Sequence, residues 1–83
     1  MARATITERA AGRIREALET QGRTQEWLSE ATGIPMRTLA RRLHKTHPSA
    51  MSLDELADIA AALAVDIVSL IRPAERPALA VAS

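Results

Sequence analysis

Two segments of this chain carry the same start signal for a helix. Thr5 with Glu8, and Ser52 with Glu55, have capping-box spacing: the hydroxyl accepts from the amide three residues on, and the carboxylate reaches back to the cap amide. Each is followed by apolar residues at helical intervals, Ile6, Ala10, Ile14 and Leu18 in the first, and Leu53, Leu56, Ile59, Ala60 and Leu63 in the second. The apolar share is 47% but aromatics are 1%, Trp27 alone, so much of the apolar content is alanine, the best helix former. Closely packed helices, an all-α fold, are the expectation.

The remaining punctuation divides the chain further. The first helix is expected over about Thr7 to Gln21, closed by Gly22, with Arg9, Arg13, Arg15, Glu16 and Glu19 on its wetter faces. Thr24 caps a short second helix whose apolar side is Trp27, Leu28 and Ala31, and Gly33 ends it. Proline is tolerated at a helix start and not inside one, so Pro35 opens a third helix, about Met36 to His44, with Leu39 and Leu43 turned inward. Lys45 to Met51 reads as a loop, Leu53 to Ala64 as a fourth helix, and Ile67 to Ile71, capped by Asp66 and stopped at Arg72-Pro73, as a fifth. Residues 1–72 form one compact five-helix domain in this reading, and residues 73–83 a loosely held tail. Its Leu79-Ala80-Val81 can form a strand only if a partner supplies the other edge.

The net charge of +1 says little, but its distribution is uneven. From Ala31 to Leu53 there is no acid, and Arg37, Arg41, Arg42 and Lys45 give +4, whereas Asp54 to Asp66 holds Asp54, Glu55, Asp58 and Asp66 without a base. One cationic face suits a polyanion, because cationic side chains on duplex DNA release condensed counterions, although a charge run also fits a plain solvated face. Without cysteine there is neither disulfide nor thiolate metal site, and no stretch of about 18 apolar residues or apolar leader is present, so a cytoplasmic protein is expected. No Gly-rich phosphate loop, Ser/His/Asp set or carboxylate pair supports an enzyme, and no cofactor is implied. His44 and His47 lack a third ligand nearby, and a proline follows directly, so no metal is expected. Trp27 reads as an anchor at or near the core in preference to a base-stacking residue.

The segment Gln25 to Leu43, QEWLSEATGIPMRTLARRL, resembles the helix-turn-helix of the phage Cro and repressor family, also called the XRE family. The likeness rests on Gln25 opening the second helix, small Ser29 where two helices approach, Gly33 in the turn, Ile34 after it and Leu39 in the recognition helix. It extends over roughly Ile6 to Ile71, with SLDELADIAAALAVDIVSLI similar to the family's fourth and fifth helices. Two positions depart from the pattern, Arg42 and Thr32, where the family usually has apolar residues; Leu43 is placed to make the contact Arg42 does not.

The resemblance implies a DNA-binding regulator, a repressor or Cro-like protein acting as a homodimer on a roughly palindromic operator. Its base-reading positions fall on Met36, Arg37, Ala40 and Arg41. Arg37 and Arg41 each suit bidentate pairing to guanine, and Met36 and Ala40 a thymine methyl, with solvated surface arginines as the plainer alternative. Phosphate contacts fall on Gln25, Thr38, Arg42 and Lys45. Arg3 is either a minor-groove arm or a disordered terminus. The pairing surface is expected at exposed Ile67, Val68 and Ile71, unless these residues close the monomer core. An antitoxin or other protein-interaction module, docking through Leu79-Ala80-Val81, is the alternative.

Overall fold

The computed structural model describes residues 5–73 and contains, among them, five helices: α1 (Ile6–Gln21), α2 (Gln25–Thr32), α3 (Met36–Arg42), α4 (Leu53–Leu63) and α5 (Ile67–Ile71). Both capping boxes form as their spacing predicts, Thr5 with Glu8 opening α1 and Ser52 with Glu55 opening α4. Thr24 Oγ1 accepts from the Trp27 amide at the start of α2, and Asp66 Oδ1 accepts from the Val68 amide at the start of α5. Arg3 and Leu79-Ala80-Val81 lie outside the described residues.

The core is a single cluster built around Ile14, Leu28, Leu39, Leu43, Ile59 and Leu63, with no polar residue buried among the described positions. Here α5 lies against α1 and α4, while α2 packs on α3 and α4, so α4 is shared by both halves. Trp27 packs on the edge of this cluster as an anchor.

Several expected core positions lie outside it. Ile6 is 59% exposed and Ala11 takes the inward place, because a strict every-fourth series rotates about 40° per step relative to the 3.6-residue turn. Leu53 is 81% exposed, off the face defined by Leu56, Ile59, Ala60 and Leu63, and Ala31 is exposed too. The third helix ends at Arg42 and not at His44, because Leu43 (φ −104°, ψ 17°) leaves the helical conformation while its amide still bonds the Leu39 carbonyl.

Helix ends hold the least predictable feature. Gly22 closes α1 in the left-handed conformation as expected, but α4 is closed by Ala64 at φ 58° and not continued through it. The amides of Ala64 and Val65 return to the carbonyls of Ala61 and Ala60. This is the two-bond closure normally built on glycine. The other surprise concerns α1, whose polar side chains close three other helices. Arg15 Nη1 donates to the carbonyls of Leu43 and His44 at the end of α3 (3.1 and 3.2 Å), and Gln21 Nε2 to Leu63 at the end of α4 (2.9 Å). Arg9 Nε and Arg13 Nη1 donate to Ile71 and Ser69 in α5 (3.3 and 2.8 Å). Arg9, Arg13 and Arg15 were expected on the wetter faces; each is instead half-buried and spent on a carbonyl. Such carbonyls have no partner within their own helix, and a guanidinium satisfies them while complementing the helix dipole.

Candidate nucleic-acid interface

The turn between α2 and α3 is held by hydrogen bonds from short side chains. Gly33 sits at φ 80°, where a residue with a Cβ is strained, and its amide donates to the Ser29 carbonyl (2.8 Å). Ser29 Oγ donates to the Ile34 carbonyl (2.6 Å), so the small residue at the helix approach also ties the chain beyond the turn. Thr32, one of the two departures from the family pattern, uses its hydroxyl twice: it donates to the Leu28 carbonyl (2.8 Å) and accepts from the Ile34 amide (3.2 Å). Ile34 is buried behind the turn, and Pro35 (φ −59°, ψ 145°) starts α3 without a side-chain cap.

With Leu39 buried and Leu43 following it inward, the opposite face of α3 is set by the 3.6-residue repeat. Arg37 and Arg41 lie exposed on it and Ala40 at its edge, while Met36, in the first turn on the side of Leu43, is also exposed, at 41%. Among the described residues neither Arg37 nor Arg41 has an ion-pair or hydrogen-bonding partner for its side chain. The face presents two forked cations one turn apart, flanked on one side by Ala40 and then Met36.

Arg42 has a different fate. Its Nε and Nη2 donate to Glu55 Oε1 and Oε2 (3.0 and 3.4 Å), and its Nη1 to Ser49 Oγ (2.7 Å). The guanidinium turns back onto the start of α4, at the position where the family usually has an apolar side chain. Glu55 thereby serves two elements, since Oε1 also accepts from the Ser52 amide (2.9 Å) in the capping box. The hydrogen bond from Arg42, together with that from Ser52, holds the Glu55 carboxyl below its ordinary range. Arg42 was assigned to phosphate from the sequence; here its charge is balanced by an acid from outside the acid-free stretch.

The loop after α3 is folded against that helix. The Ser49 amide returns to the Arg41 carbonyl (3.0 Å), and His44 Nδ1 accepts from the amides of Thr46 and His47 (3.2 and 3.0 Å). The imidazoles of His44 and His47 stack, with centroids 6.0 Å apart, and no group of three metal-ligating side chains occurs among the described residues. Lys45 is exposed on this loop, and the structure brings it together with Gln25 in one groove that Arg15 and Arg23 also line. Thr38, on α3, and Gln25, at the start of α2, are half-buried. Sequence reasoning missed the Arg15 and Arg23 contributions. Arg15 acts across 28 positions of chain, and Arg23 lies in the connection before α2 with its guanidinium 4.2 Å over the Trp27 ring.

An all-helical domain with a buttressed helix-turn-helix and an unpaired cationic helix face has the architecture of a duplex-binding module. Residues 13–73 match the Cro/C1-type HTH DNA-binding domain family, and the chain belongs to it. Comparison with curated proteins and with solved structures found no match.

Proposed function

We propose that this protein is a sequence-specific regulator of transcription, of the phage repressor or Cro type, that binds double-stranded operator DNA through α3 as a homodimer. The observation that carries this reading is the outward face of α3, where Arg37 and Arg41 are exposed and unpaired, with exposed Ala40 and Met36 beside them. A guanidinium free of internal partners keeps both edges for guanine O6 and N7, and an apolar neighbour favours a thymine methyl. Gln25, Thr38 and Lys45 are the phosphate contacts in this reading. Arg42 serves it by fixing the end of α3 on α4. The role is one of binding, without catalysis or cofactor, in the cytoplasm; no helix among the described residues is long and apolar enough to cross a membrane.

One helix reads only a few base pairs, which is poor discrimination in a genome, and two-fold pairing doubles the contacts. The pairing surface in this reading centres on Val68, 44% exposed on α5. Ile67 and Ile71, expected beside it as exposed residues, are half-buried and packed against the core, so they border the surface and do not form its centre. The reason is that α5 rests on two helices, α1 and α4, and so buries a wider face.

Selection of sites from random duplex DNA tests the reading. Recovery of a two-fold symmetric sequence is the expected result, and Arg41→Ala is expected to lose about 1 to 3 kcal/mol on that sequence and much less on random DNA. Equal losses on both would demote Arg41 to a phosphate contact, and no enrichment would remove sequence-specific binding altogether.

A further inference from the structure

The groove beside the recognition helix contains a cation that the helix-turn-helix itself does not account for. It is an open channel of about 450 Å³ lined by Arg15, Leu18, Glu19, Arg23, Gln25 and Lys45, running from the end of α1 past the first residue of α2 to the loop after α3. Three cations face one carboxylate there. Arg15 is fixed by the carbonyls of Leu43 and His44, and Arg23 by the indole of Trp27, 4.2 Å from guanidinium carbon to ring centroid. A cation over a ring is attracted to its face without using up hydrogen-bond donors, and Arg23, exposed to solvent, keeps its N–H groups for a phosphate oxygen.

We propose that Arg23, held over the ring of Trp27, is a phosphate-binding residue that grips the DNA backbone at the edge of the site. The proposal rests on the reading of the protein as a duplex-DNA binder. Gln25 and Lys45, assigned to phosphates from two separated stretches of chain, line the same groove, so a backbone that touches both passes Arg23. Trp27 has a role here that neither core anchor nor base-stacking platform describes. It removes the rotameric freedom of an exposed arginine before DNA arrives, so less entropy is lost on binding.

The test is the salt dependence of binding to a duplex of mixed sequence, read as log Kd against log salt for the intact chain. Arg23→Ala is expected to lower the slope by about 0.9, the value for one phosphate contact, and to leave the order of preference among duplex sequences unchanged. Trp27→Leu keeps the charge, so its slope should match wild type while affinity falls about two- to fivefold, and Trp27→Phe should recover most of that loss. Melting curves identify any variant unfolded at the binding temperature; if Trp27→Leu is one, Trp27→Phe and Arg23→Ala carry the test. A wild-type slope in Arg23→Ala overturns the proposal, and so does a changed sequence preference, which would mark a base contact. Wild-type protein that shows no salt-dependent binding to any duplex overturns the DNA-binding reading beneath it.

Discussion

Gly33 and Ala64 occupy the same left-handed region of backbone, one with the residue that suits it and one without. A Cβ added at Gly33 meets nothing within 4 Å, so the whole penalty of a substitution there is conformational. Gly33→Ala is therefore expected to lower stability by about 1 kcal/mol with no change in packing, measured by denaturant unfolding with an unchanged m value. Ala64, at φ 58°, carries that strain already. Ala64→Gly should raise stability by about 0.5 to 1 kcal/mol, the relief of the left-handed Cβ exceeding the added freedom of the unfolded chain. Gly22 and Gly33 could be read as helix closures because glycine advertises its conformation. Ala64 could not, because alanine is the residue that best continues a helix; its positive φ and the returning amides of Ala64 and Val65 show that the chain turns there.

At the scale of elements, α3 and α4 are joined by Arg42 and Glu55, and the joint depends on pH. The Glu55 carboxyl is held below its ordinary value of 4.5, chiefly by Arg42 and then by the Ser52 amide. A depressed carboxyl contributes stability that is fully present above the unfolded value and is lost as pH falls through the folded one. Glu55→Gln retains the shape and much of the cap but not the charge. It should be less stable than wild type by about 0.5 to 1 kcal/mol at neutral pH, and thermal melts in acid should show the difference closing below about pH 4.5. A difference that persists unchanged in acid would assign the effect to the cap alone. This joint also marks where sequence reasoning stops. Every helix, its start and the exposed face of α3 were legible from caps, prolines and apolar spacing, because those signals are local. The partner of Arg42 and the carbonyls bound by Arg9, Arg13 and Arg15 lie 13 to 62 positions away, and nothing in composition separates an arginine bound to a distant carbonyl from one in water.

For the molecule as a whole, the proposed assembly has a clean probe in Val68. Two recognition helices on a palindrome must sit about 34 Å apart, one turn of B-DNA, and a symmetric dimer supplies that spacing. Ile71 packs on the core, so an acid there would damage the fold, whereas Val68→Asp alters an exposed position of α5. It is expected to leave the helical circular dichroism intact while binding to the selected site becomes weaker and less steep. Sedimentation of wild-type protein on that site should give two chains; a single chain with an asymmetric footprint would sink the dimer.

The carbonyls closed from α1 bear on how the domain comes apart. Ends of α3, α4 and α5 each depend on a side chain of the same helix, so if α1 detaches, acceptors on three elements lose their partners at once. Partial opening then has no inexpensive route, and the molecule should behave as one foldon. In native-state hydrogen exchange, the amides of Leu39 and Ile59 should require the same opening free energy as that of Ile14. Arg15→Ala cuts only the link to the recognition helix, and should release Leu39 to exchange through a separate, lower-energy opening while Ile14 and Ile59 stay together.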